Sequence, residues 1–166
     1  MKIAATTSLA AAIAVAVAVM VHTQTQDPFT GTWKLNLTKS VMVSPGTASK
    51  SETVTYRHVN GEEIYASDAV TAKDEKEHTD YRGKYDGPYG TIKVTIDGKV
   101  TQEGPLQLRQ LDPRTRLRVA MRPDGMLNGI IVRRLAADGK SITSSILRFE
   151  PDGKVSVFET RYFEKQ

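Results

Sequence analysis

The side chains able to do chemistry are few in type. Beyond residue 26 the only histidines are His58 and His78, and neither stands in a ligand spacing such as H-E-x-x-H. The chain has no cysteine, which excludes disulfides, thiol catalysis and thiolate metal sites. No metal site is expected. Glu62-Glu63 and Asp74-Glu75 are adjacent carboxylates, but neighbours on a strand point to opposite faces. Paired acid–base catalysis needs carboxylates that face each other, so both pairs read as solvated turns. No G-x-S-x-G elbow is present. No residue is assigned a catalytic role, no cofactor is implied, and the chain is not read as an enzyme.

Binding is better represented. Tyr56, Tyr65, Tyr81 and Tyr85 concentrate in one stretch. A tyrosine offers a flat apolar ring with one polar handle, which suits a pocket wall. These four are the candidate ligand-binding residues, although tyrosine is also an ordinary strand residue and register decides which way each points. Arg114, Arg116, Arg118 and Arg122, with Arg133 and Arg134 further on, form a basic run. Arg116 and Arg118 share a strand face by the two-residue period. Beside Arg134 or Arg148 they could build a patch that attracts anions, or a charged solvent face that discourages edge pairing. Trp33 is the single tryptophan, expected as a core anchor. Phe149 and Phe158 are expected in the core.

The elements that must position these residues are strands. Residues 32–37 alternate polar and apolar, the mark of a strand with one buried face. Further strands are predicted over residues 53–59, 63–71, 92–96, 106–111, 116–121, 127–135, 141–149 and 155–163, with one more around Tyr81 and Tyr85. Between them stand turn pairs: Asn60-Gly61, Asp86-Gly87, Asp97-Gly98, Asp112-Pro113, Asp124-Gly125, Asp138-Gly139 and Asp152-Gly153. Residues 72–78 are charged, short and without an apolar stripe, so they read as a hairpin tip, not a helix. About ten short strands at such spacing imply a sandwich or a barrel. Closure into an antiparallel barrel would remove the exposed edges.

The N-terminus reads differently. Lys2 precedes an uncharged run over residues 9–21, and a polar stretch follows. That order is expected of a secretory signal peptide over residues 1–23, with an A-x-A site at Ala16 and Ala18 or cleavage nearer Thr23. A permanent helical span needs about 20 apolar residues, so no lasting membrane anchor is expected. The domain then runs over residues 27–166. The formal net charge of +4 is too diffuse for a nucleic-acid partner, which would show a basic stripe and stacking aromatics.

The segment Asp27-Pro28-Phe29-Thr30-Gly31-Thr32-Trp33-Lys34-Leu35-Asn36, with Lys39-Ser40 after it, resembles the opening of secreted bacterial lipocalin-like proteins. Asp138-Gly139-Lys140-Ser141-Ile142-Thr143 and the terminal Phe163-Glu164-Lys165-Gln166 resemble that family's closing hairpins. The resemblance implies an all-β, up-and-down antiparallel barrel of lipocalin (calycin) type, periplasmic or secreted, with a pocket for a small, largely apolar molecule. It also implies that Trp33 plugs the closed end and that an arginine of the last strand packs over it; Arg161 is the only arginine there. The expected function is small-molecule binding without catalysis. The alternative is a packed barrel that binds a partner through its surface, the arginine patch being the natural contact.

Overall fold

The computed structural model describes residues 27–42 and 49–166. The expected signal peptide and residues 43–48 lie outside the described residues. The strands are β1 (Gly31–Leu35), β2 (Val41–Met42), β3 (Ser49–Val59), β4 (Glu62–Thr71), β5 (Lys76–Lys84), β6 (Gly90–Ile96), β7 (Lys99–Asp112), β8 (Thr115–Met121), β9 (Leu127–Leu135), β10 (Ser141–Phe149) and β11 (Val155–Lys165). One 3₁₀ turn, Leu37–Lys39, follows β1.

Each strand from β3 to β10 pairs antiparallel with its successor in sequence, and β1 pairs with both β3 and β11. The ten strands β1 and β3–β11 therefore form a closed barrel. The two-residue β2 lies outside that count, pairing Val41 with Thr160 on β11; no alternation in so short a piece could have predicted it. Tight turns enforce the order. Asn60 and Gly61 carry φ of 54° and 77°, and Asp97 and Gly98 carry 48° and 77°. These left-handed pairs match the twist of the flanking strands. Asp124, Asp138 and Asp152 each accept a hydrogen bond at Oδ1 from the backbone N–H two residues on, at 2.9, 3.0 and 3.0 Å, the local bond that favours Asp in turns.

One end of the barrel is stoppered by apolar and aromatic residues. Phe29 and Trp33 are fully buried there, packed with Leu35, Leu135, Ile142 and Phe163. The Trp33 indole N–H donates to the Phe29 carbonyl at 2.8 Å, so the segment before β1 is tied across this end. Trp33 is the expected plug, but its cation is not Arg161. Lys165 stands opposite Trp33 in the β1–β11 register, with Nζ 5.1 Å from the ring centroid. Arg161 lies four residues earlier on the same face, about 13 Å down the strand at ~3.3 Å per residue, too deep in the barrel to reach the plug.

The outer surface also departs from the expectation. Phe158 is 53% exposed, because the inward positions of β11 are Val157, Glu159, Arg161 and Phe163. Among the described residues no helix is long and apolar enough to cross a membrane.

Candidate functional site

Polar and charged side chains share the barrel interior with the apolar core. Period-two alternation brings Tyr56, Tyr65 and Tyr81 into one cross-strand row, since Tyr56 pairs with Tyr65 and Tyr65 with Tyr81. All three are buried. Tyr65 and Tyr81 stack at 4.5 Å between ring centroids, and Tyr56 meets Tyr65 edge-on at 5.2 Å. Tyr85, past the end of β5, packs against the same core. Thus the four candidate tyrosines all face the lumen. Tyr56 and Tyr65 line a cavity, whereas Tyr81 and Tyr85 point toward the stoppered end and are engaged there.

What engages them is Glu63, which is fully buried. It is inward because it shares the β4 face with Tyr65, while its neighbour Glu62 points out to Arg82. Glu63 accepts from the Tyr81 hydroxyl at 2.6 Å, from the Tyr85 hydroxyl, and from Arg116 Nη1 at 3.1 Å. Arg116, 1% exposed, also pairs with Asp27 and places its guanidinium 3.9 Å over the Phe29 ring. His58 borders the cluster, with Nε2 3.5 Å from Asp27 and 3.9 Å from Glu63. Burial is the chief cause holding the His58 pKa below its usual value; the Arg116 charge adds to it and Asp27 opposes it. Burial, reinforced by Glu63, pushes the Tyr85 phenol up. Glu63 as a solvated turn residue is thereby corrected: half of the Glu62-Glu63 pair is the hub of a buried network.

A second network sits deeper along the lumen. Arg161 donates to Glu52 at 2.6 Å and to Glu159 at 2.8 Å, and the Ser67 hydroxyl donates to Glu52 at 2.8 Å. All four side chains are buried. Desolvation alone would lower the Arg161 pKa, but the Glu52 and Glu159 charges hold it above its normal value. Here lies the arginine that sequence reasoning placed over Trp33.

Two further arginines are less fully partnered: Arg133 Nη1 stands 3.8 Å from Glu63, and Arg118 meets no carboxylate among the described residues. The β8–β9 register pairs Arg116 with Arg133 and Arg118 with Ile131, so Arg116, Arg118 and Arg133 all point inward. The expected patch on the outer surface is not formed by them; the shared parity holds, on the opposite face. Arg133 donates to the Tyr81 hydroxyl at 2.8 Å and lies over Tyr56, Tyr65 and Tyr81, but its Nη2 is buried without a partner. For Arg118, both Nε and Nη1 are shut off from solvent and unpartnered. Its guanidinium stands 5.4 Å from the Tyr81 ring centroid and 5.8 Å from that of Tyr65. Among the described residues no carboxylate comes within 4 Å of it. Burial, and then the Arg133 charge, lower its pKa.

The empty space adjoins these two arginines. Two cavities of about 50 and 110 Å³ share Glu77, Thr79, Arg118, Ile131, Ile146 and Arg148 as lining. The first reaches Tyr56, Tyr65, Arg133 and Arg161; the second runs past Ile92, Val94 and Ala120 to Gln102 and Asn128 near the unstoppered end. The space is smaller than the roughly 300 Å³ of an ordinary ligand pocket and more polar than a lipocalin-like resemblance implies. Chemically it offers one or two unsatisfied guanidinium edges beside an aliphatic wall, which suits an anion joined to an apolar group. Among the described residues no cluster of three or more histidine, aspartate or glutamate side chains could hold a metal ion.

No family model matches the chain, and no curated protein matches it. A search of solved structures finds similarity to a fatty acid binding protein of Schistosoma mansoni in complex with arachidonic acid, at a TM-score of 0.54 and 12% identity, covering 85% of this chain and 98% of that one. At that identity the likeness is one of fold: the chain is an all-β, closed ten-stranded antiparallel barrel similar in fold to that fatty acid binding protein.

Proposed function

We propose that the chain is an exported binding protein that carries a small lipophilic anion in the lumen of its barrel, without catalysing a reaction on it. The observation that carries the reading is Arg118. Arg118 is half-buried, but its Nε and Nη1 are shut off from solvent without a partner, and such nitrogens are costly unless something supplies acceptors. The natural proteins that keep such a group use it on a ligand or on ordered water. An anion seated between Arg118 and Arg133 Nη2 would supply charge and acceptors together. Ile92, Val94, Ala120, Ile131 and Ile146 would cover the apolar remainder. The similar barrel from Schistosoma mansoni binds a fatty acid, itself an anion joined to an apolar group, which supports the same use of this fold.

Transport fits the lumen better than catalysis. Glu63, the natural candidate for a base, already accepts from two phenols and a guanidinium. Its task is to hold the stoppered end together. Export rests on the leader-like residues 1–23.

The test is native mass spectrometry of the protein purified from the cells that make it. The reading expects an adduct that is lost on denaturation and recovered as a small organic anion. A bare polypeptide mass, joined to no thermal stabilisation by millimolar carboxylic acids from acetate to palmitate, would overturn it.

A further inference from the structure

We infer that the ligand is a compact acid of about six to ten non-hydrogen atoms, and not a long-chain lipid. The inference rests on the carrier reading above and narrows the ligand class. Three observations lead to it.

The first is volume. The two adjoining cavities measure about 50 and 110 Å³. A dry cavity of about 150 Å³ accommodates a molecule the size of benzene, and drug-sized or lipid ligands use about 300 Å³ or more. Benzoate or hexanoate matches the space; an extended chain of sixteen or twenty carbons does not.

The second is what walls the space. A lumen lined only by aliphatic side chains can enlarge by rotamer changes. Here Arg161, tied to Glu52 and Glu159, forms one wall. The other limit is the stoppered half, filled by Glu63, Tyr81, Tyr85, Arg116 and Phe29. Enlarging either side would break buried ion pairs and strand charges away from water, a far larger cost than turning a leucine. Toward these walls a long chain can neither displace the groups cheaply nor pass between them, and toward the unstoppered end, past Gln102 and Asn128, its tail would leave the lumen for water.

The third is the charge around the anion site. Glu52 and Glu77 line the same space as Arg118 and Arg133. A single negative group between the arginines is attracted. Glu52 is already held by Arg161, and Arg148 lines both cavities beside Arg118, so the balance of the lining favours an anionic ligand over a neutral or cationic one.

The experiment is isothermal titration calorimetry on ligand-stripped protein with four probes: benzoate, hexanoate, dodecanoate and palmitate. The same titrations are run on Ile131→Ala, Ile131→Val and Arg118→Met. Ile131 lines both cavities, so removing its side-chain carbons joins and widens them. The wild type is expected to bind benzoate or hexanoate at least tenfold tighter than palmitate. Ile131→Ala is expected to shift the ratio at least fivefold toward dodecanoate. Should that variant fold poorly, Ile131→Val gives the same shift on a smaller scale. Arg118→Met is expected to weaken benzoate at least tenfold. Palmitate binding as tightly as benzoate in the wild type, with loss on Arg118→Met, would refute the size limit while leaving the carrier reading intact. No binding by any of the four acids would remove both.

Discussion

Glu63 offers the most demanding check on the way this barrel is assembled. Replacing it with alanine removes the shared acceptor of Tyr81, Tyr85 and Arg116. Arg116 keeps Asp27, which is only 21% exposed, but loses the partner that neutralised its inner edge. The Tyr85 hydroxyl loses its carboxylate acceptor, while the Tyr81 hydroxyl still accepts from Arg133. Removing one partner of a buried ion pair costs about 3–5 kcal/mol, and each buried donor left unpaired adds roughly 1–3 kcal/mol. Relaxation and the surviving Asp27 contact offset part of this, so a net loss of about 3–5 kcal/mol is expected. For a domain of this size that is a fall in Tm on the order of 10–15 °C. The control is one residue away. Glu62 points outward to an exposed Arg82, and an exposed pair contributes at most about 1 kcal/mol. Urea unfolding of Glu63→Ala and Glu62→Ala side by side measures both. If the two variants lose the same stability, within about 1 kcal/mol, Glu63 is not the buried hub and the register of β4 is wrong.

Three other outcomes follow from the same structure. A Cβ at Gly104 would lie 2.4 Å from the Met121 carbonyl oxygen, so Gly104→Ala must push β7 from β8 and should cost about 1–3 kcal/mol in urea unfolding; an unchanged midpoint would contradict the close approach. His58 has its pKa held below the unfolded value by burial and Arg116, against Asp27. The unfolded chain therefore binds its proton first as pH falls. The His58 contribution is complete above about pH 6.5 and is lost as pH drops toward the lower folded value. His58→Gln should lose less stability than wild type between pH 7 and pH 5, and an equal loss would remove His58 from the acid response. Finally, fractionation with N-terminal sequencing should find the protein outside the cytoplasm and beginning near residue 24; a cytoplasmic protein that still begins at Met1 would exclude export.

Much of this architecture is legible in the sequence because it rests on local rules. The Asx-Gly pairs mark the hairpins, and the alternation of residues 32–37 or 92–96 marks strands whichever way they face. Even the shared face of Arg116 and Arg118 follows from parity. What parity cannot supply is which face is inside. The usual guide is that apolar side chains turn inward, and β8 and β9 invert it in part. Leu117 and Val119 alternate with Arg116 and Arg118, and the arginines take the lumen. They can do so because Glu63, Asp27 and the tyrosine rings await them, contributed by β3, β4, β5 and the segment before β1. Those partners are 53 residues away for Glu63 and 89 for Asp27, so no window of sequence contains the reason. The same blindness moved Arg161 to the wrong partner. Its strand and face were readable, but the cation over Trp33 is fixed by the β1–β11 register, which selects Lys165. Glu52 and Glu159 carry no signal beyond sharing strand faces with Val54 and Arg161.

The central expectation is that Arg118 and Arg133 receive an anion in the lumen. The direct measurement is a guanidinium NMR titration with benzoate on protein carrying ¹⁵N-arginine, assigned by single substitutions. Arg118 and Arg133 resonances should shift and sharpen with saturation at one equivalent, while Arg116 and Arg161, already held by carboxylates, stay in place. Saturable shifts confined to exposed arginines such as Arg109 or Arg134, with Arg118 and Arg133 unmoved, would contradict it.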